Sequence, residues 1–255
     1  MRRIRVIAAS ALLAISTATI APIAAAAVAK VYTTAVASPD RTDKDRERDV
    51  RERPAEVLSF AGFKSGMTIA DLFGGGGYYS EIISHVVGVR GKVLLVNNPA
   101  YAAFAKDDLA ARFHDGRLPR IERVVVPNDS LKLGTETLDG ALFVMSYHDL
   151  YYADGNDFPR IDAAQFLDQV RAALKPGGRL LIVDHAAVAG SGSAPAQTLH
   201  RIDETFVIRD LESHGFDLAG RYDGLHNTTD DHTKLVFDPA IRGHTDRFVH
   251  VYVRR

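Results

Sequence analysis

The chain has 255 residues, with 31 Lys and Arg against 32 Asp and Glu and a formal net charge of −1. So balanced a charge leaves no electrostatic footprint for nucleic acid. The absence of cysteine excludes disulfides, thiolate metal sites and a cysteine nucleophile.

Arg2, Arg3 and Arg5 precede an apolar, alanine-rich run from Val6 to Ala27, and Ala27-Val28-Ala29 fits the small-x-small rule for leader cleavage. The reading is a signal peptide over 1–29, cleaved near Ala29 with Ala26 or Ala27 as alternatives, and an exported, periplasmic protein. The run is long enough to span a bilayer as an uncleaved anchor, but Ser16, Thr17, Thr19 and Pro22 interrupt it. Losing the three leader arginines takes the net charge from −1 to −4. The remaining roughly 225 residues fit one domain, with no stable membrane insertion expected after cleavage.

Residues 40–53 mix both signs densely. Residues 30–53 therefore read as a charged linker or an exposed helix with i,i+4 ion pairs, and 54–255 as the folded domain. Pro54 suits the first turn of a helix that Gly62 would stop.

From Met67 onward strands and helices alternate. Strands are expected over 67–72, 92–97, 121–126, 139–146 and 179–184, near-continuously apolar as buried parallel strands are. Helices are expected over 78–87, 100–113, 160–174 and 197–214, the third ending in Leu174-Lys-Pro-Gly-Gly. This order implies a doubly wound α/β sheet with right-handed crossovers. Two further strands, 216–222 and 247–253, have no obvious helix between them and predict an antiparallel pair at the sheet edge.

The most informative segment is Asp71-Leu-Phe-Gly74-Gly75-Gly76-Gly77-Tyr78. A strand runs into a bare turn and then a helix start. Glycine lets a ligand approach the backbone, and the helix N-terminus offers unpaired N–H groups and partial positive charge. The second informative segment is Ser146-Tyr-His148-Asp149-Leu-Tyr-Tyr152, at the end of the fourth strand. Histidine suits a general base near neutrality.

The glycine turn, Leu174-Lys-Pro-Gly-Gly178 and Leu211-Glu-Ser-His-Gly-Phe216, in this order, resemble the class I S-adenosylmethionine-dependent methyltransferases, closest to an exported predicted-methyltransferase group. The resemblance covers roughly 54–253. It implies a Rossmann-like, mostly parallel seven-stranded sheet, order 3-2-1-4-5-7-6 with strand 7 antiparallel, and a ligand at the topological switch. It implies S-adenosylmethionine as cofactor and methyl transfer to a small-molecule acceptor.

By the same resemblance Gly74, Gly75 and Gly77 pass under the cofactor's methionyl and ribose parts. Phe73 departs from the family by standing in the first glycine's place. Asp71 orients the loop or receives the cofactor's ammonium through water. Asn97 stands where the family has an acid for the ribose hydroxyls, and Asp129 accepts from the adenine amino group. His148 is the candidate base, with Asp149 as its orienting partner if the chain bends after Tyr147. His148, Asp149, Asp184 and His185 could in principle converge on a metal at these strand ends, but no spacing matches a metal motif, so none is expected. The alternatives are an exported binding protein of the same fold without turnover, and a nicotinamide-dependent oxidoreductase. The latter is disfavoured by the missing third glycine and strand-2 acid.

Overall fold

A computed structural model describes residues 29–255; of the expected leader, 1–29, residues 1–28 lie outside them. Among the described residues no helix is long and apolar enough to cross a membrane.

Seven strands form one sheet in the order β3-β2-β1-β4-β5-β7-β6. They are β1 (Thr68–Leu72), β2 (Lys92–Asn97), β3 (Ile121–Val125), β4 (Leu138–Val144), β5 (Leu174–His185), β6 (Phe216–Arg221) and β7 (Arg247–Arg254). The first five pair in parallel, whereas β7 runs antiparallel to both β5 and β6. The expected α/β, mostly parallel, methyltransferase-like sheet and its antiparallel edge pair are thus both present.

Alternate residues of each strand feed opposite faces, the two-residue period of extended chain. Ile69, Leu95, Leu142 and Leu181 pack with α3 (Pro54–Ala61) and α4 (Tyr78–Val87). Ala70, Leu72, Ala141, Phe143 and Ile182 pack with α7 (Ala163–Ala173) and α9 (Glu204–Ser213). Both faces of the central strands are therefore dry, which explains their unbroken apolar sequence.

Residues 30–53 are helical and include an i,i+4 pair, Arg48–Glu52 at 3.6 Å, but they dock on the domain rather than standing exposed. They form α1 (Lys30–Val36) and α2 (Asp43–Glu52). Tyr32 is buried and donates to Phe63 O at 2.8 Å. In and before α2, Arg41, Asp45 and Glu52 are buried, each with a partner: Asp49, Arg112 and Arg247 at 2.6, 2.8 and 2.6 Å. The charges that suggested solvation are spent on ion pairs to α6 (Lys106–Arg112) and β7, which lets a strongly polar helix dock.

Two expected helices are broken. Residues 100–113 divide at Ala105 into α5 (Pro99–Phe104) and α6. Residues 197–214 divide into α8 (Ala196–Leu199) and α9 because His200 adopts a left-handed conformation, φ 52° and ψ 46°. The break lets Ile202 bridge to Ala186 beyond β5. It also buries Arg201, which donates to Ala186 O and Lys234 O and pairs with Asp230 at 2.8 Å. These tertiary bonds override a continuous helical pattern.

Candidate active site

The glycine turn sits at the carboxyl end of β1, where the strand order reverses. Only part of it faces outward. A Cβ on Gly74 would lie 2.5 Å from Leu95 Cδ1 and 2.6 Å from the Asp71 carboxyl, and one on Gly76 2.6 Å from Asp108 Cβ. A Cβ on Gly75 would meet nothing within 4 Å, but φ there is +55°. Glycine is demanded by packing at the first two positions and by conformation at the third.

Asp71 is buried and accepts from Ser80 Oγ, in the first turn of α4, at 2.6 Å. Burial pushes its carboxyl up to about 6, with Ser80 opposing. Asp71 thus ties the end of β1 to the first turn of α4 across the glycine turn.

Two expected cofactor contacts are corrected. Phe73 is 4% exposed, with φ 52°, and stacks on Tyr101 at 4.8 Å between centroids while touching Phe143 and Phe166. Its ring fills the apolar layer below the turn. Asn97, also buried, closes a two-bond ring on the turn: Gly75 N–H donates to its Oδ1 at 3.0 Å, and its Nδ2 donates to Gly75 O at 2.9 Å. Both ends of the amide brace backbone, so Asn97 is not placed to read ribose hydroxyls.

The carboxyl ends of β2 and β3 and the loop before α7 line an open cavity of about 530 Å³, whereas Gly74 and Gly76 of the turn line a separate hollow of about 270 Å³ with Asp45, Arg48 and Arg112. Asn98, Asn128, Asp129, Arg160 and Asp162 line the larger cavity. Asp129 is exposed on this wall, where a carboxylate acceptor for an amino group was expected. Asn98 Nδ2 donates to Asn128 Oδ1 at 3.2 Å and so joins the β2 and β3 ends.

The other half of the crevice lies at the ends of β4 and β5. A 3-10 turn over His148–Tyr151 supplies the bend expected after Tyr147. His148 is buried, and Asp184 holds it twice: Asp184 Oδ1 lies 2.7 Å from Nδ1, and Oδ2 accepts from the His148 N–H at 2.9 Å. The orienting partner is therefore Asp184, not Asp149. Asp149 is on the other side of the ring, its Oδ1 3.4 Å from His148 Nε2, while its Oδ2 accepts from Tyr101 OH.

Burial lowers the basicity of His148, but Asp149 and Asp184 outweigh it and raise the imidazole to about 9. Burial opposes ionisation of Asp149, whereas His148, His200 and Tyr101 hold its carboxyl below the usual range. With no other cation beside it, a histidine so placed holds a proton at neutral pH rather than standing ready as a base. His185 turns away to Thr245, 2.7 Å from Oγ1, and burial pushes its basicity well down, with His148 next in effect.

His200, from the break between α8 and α9, was not among the expected site residues. Its Nδ1 lies 3.3 Å from His148 Nε2 and 3.7 Å from Asp149 Oδ1. Tyr152 packs on its ring at 4.6 Å. Tyr147 and Tyr151 instead donate to Asp210 and pack.

No protein-family model matches the chain, and no curated protein matches it. Solved structures do match in shape. An S-adenosylmethionine-dependent methyltransferase from Aquifex aeolicus aligns over 84% of this chain and 100% of its own, at TM-score 0.58 and 19% identity. A putative sarcosine dimethylglycine methyltransferase from Galdieria sulphuraria aligns over 83% and 90%, at 0.55 and 12%. The 4+2 cyclase SpnF aligns over 82% and 80%, at 0.56 and 15%. A cyclase among these neighbours means that shape does not by itself select methyl transfer. The chain has the fold of the class I S-adenosylmethionine-dependent methyltransferase superfamily.

Proposed function

We propose that the protein binds S-adenosylmethionine in the crevice where its strand order reverses and transfers the methyl group to a small molecule, outside the cytoplasm if the leader acts as expected. The observation that carries the reading is the 530 Å³ cavity at the carboxyl ends of β2 and β3, whose Asn98 follows the Asn97 that braces the glycine turn opening α4. An open α/β sheet takes its ligand at that place.

The residues present fit the nucleoside end best. Asp129 offers a carboxylate to an exocyclic amino group, and Asn98 and Asn128 form the floor between the two strand ends. When bound, the cofactor supplies an electrophilic methyl on a sulfonium. The chain's part is to align a nucleophile with it and exclude water. His148 and Asp149, at the end of β4, stand on the acceptor side of this arrangement, with His148 fixed by Asp184.

A second reading, a binding protein without turnover, draws on the Phe73–Tyr101 stack beneath the turn and on Asn97 being tied to Gly75. Both consume groups that a cofactor's methionyl and ribose parts would use.

Thermal unfolding with and without S-adenosylhomocysteine tests the binding step. A ligand selective for the native state at a hundredfold its Kd stabilises by about 2.7 kcal/mol. A shift with S-adenosylhomocysteine and none with NADH supports the proposal; the reverse would favour the oxidoreductase. Release of S-adenosylhomocysteine in the presence of candidate acceptors separates turnover from binding alone.

A further inference from the structure

We propose that His148, His200 and Asp149 form a binding site for one divalent transition-metal ion of the zinc or iron(II) type. The inference does not depend on methyl transfer.

Its basis is the spacing of three potential ligand atoms. His148 Nε2, His200 Nδ1 and Asp149 Oδ1 are 3.3, 3.4 and 3.7 Å apart in pairs. Ligands about 2.1 Å from a tetrahedral metal stand about 3.4 Å from one another. The triangle therefore matches one face of a four-coordinate ion. Two imidazoles and one carboxylate suit zinc or iron(II), whereas magnesium and calcium prefer oxygen ligands alone.

The surroundings of each ligand point the same way. Asp184 Oδ1 sits 2.7 Å from His148 Nδ1. A proton shared there leaves the Nε2 lone pair aimed at His200 and Asp149, the tautomer that ligation needs. A carboxylate behind a ligating histidine is the usual outer partner at such sites. Tyr101 OH donates to Asp149 Oδ2 and turns Oδ1 inward. His200 is fixed by its left-handed backbone and by Tyr152 and Phe237 against its ring.

The ligands come from two distant segments, so no local spacing reveals them. The site is also not sealed. His148 is buried, but the side chains of Asp149 and His200 keep 13% and 19% of their exposure. Three protein ligands and a way to solvent leave a fourth position for water or an oxygen of a small molecule, the pattern of a reactive rather than a purely structural ion. Where the methyl-transfer reading also holds, that position would take an oxygen of the acceptor.

The test uses the full chain, stripped with chelator and titrated with Co²⁺, then with Zn²⁺. One Co²⁺ per chain is expected, with the strong visible absorption of a four- or five-coordinate ion, displaced by Zn²⁺. His200→Ala should abolish stoichiometric binding. His200→Gln, the closer isostere, should do the same with an unchanged thermal midpoint in chelator, which separates ligand loss from misfolding. Asp184→Asn should weaken binding 10- to 100-fold while leaving one ion per chain. His232→Ala is the control: His232 and His226 both contact Asp246 at 2.9 Å in a separate cluster, and its loss should change nothing.

Absence of one-to-one binding in the wild-type protein would overturn the proposal and leave the three groups sharing a proton. Binding that survives in folded His200→Gln, or disappears in His232→Ala, would overturn it as well. None of these outcomes bears on whether S-adenosylhomocysteine binds.

Discussion

The two halves of the crevice are built from different materials. On the β1–β2 side the chain offers backbone, and most of it is already committed: Gly75 is bonded twice to Asn97, Gly74 is packed on Leu95 and Asp71, and Phe73 is buried. On the β4–β5 side it offers side chains, with His148 Nε2, His200 Nδ1 and Asp149 Oδ1 converging and the Asp184 carboxylate behind His148. The first half is a rigid shelf whose shape is fixed by sterics and hydrogen bonds. The second is a cluster whose state depends on which cation it holds. A reaction in this crevice would take its geometry from one half and its chemistry from the other.

Substitutions on the shelf should separate its packing from its conformation. Gly74→Ala carries the largest expected cost, about 2–3 kcal/mol of unfolding free energy in a urea titration, because its Cβ overlaps Leu95 and Asp71. Gly75→Ala should cost about 1–2 kcal/mol, from left-handed strain alone in open space. Equal costs would mean that the tight contacts under Gly74 relax, and that the shelf is softer than described.

Asn97→Leu should come next, at about 1–3 kcal/mol, since it leaves the Gly75 N–H and carbonyl without their partners. A neutral result would show that water replaces the amide and that the turn is open to ligand.

Asp71→Asn should change the pH dependence of stability rather than lower it. The carboxyl is raised from 3.8 to about 6 in the folded protein. Below about 4 both states hold the proton. Between about 4 and 6 the unfolded chain releases it first, so wild-type stability falls as pH rises, and it is level above. The variant should lack that fall and gain up to about 3 kcal/mol at pH 7. A wild-type profile that rises across this window would contradict the burial argument.

Asp129→Ala should have the smallest effect on stability, within about 0.5 kcal/mol for an exposed side chain. It should nevertheless weaken S-adenosylhomocysteine binding. If affinity is unchanged, the cavity at the β2 and β3 ends does not hold the adenine end.

The same division explains what could be read in the sequence. The alternation of strands and helices and the glycine turn were legible because each is a contiguous stretch with its own period, whereas the sheet order came from the family resemblance. β2 and α4 fall on their expected bounds, Lys92–Asn97 and Tyr78–Val87. His148 and Asp149 also stood out, as a polar pair closing an apolar strand.

The partners of these residues were hidden. Asp184 was noticed as a strand end but not as the group holding His148. His200 was obscured because its residues read as part of one helix over 197–214, and only buried Arg201 and the Ile202 bridge break it. Phe73 and Asn97 were assigned by analogy to ligand roles, whereas core packing and a side-chain ring on Gly75 claimed them. α2 was taken for a solvated segment because its ion-pair partners, Arg112 and Arg247, lie far along the chain.

Whether the crevice takes an adenosyl compound is tested most directly by a calorimetric titration of the protein with S-adenosylhomocysteine. The account predicts saturable one-to-one binding that weakens in Asp129→Ala. Heats no larger than dilution at millimolar ligand would contradict it, leaving the methyltransferase-like fold with a different occupant.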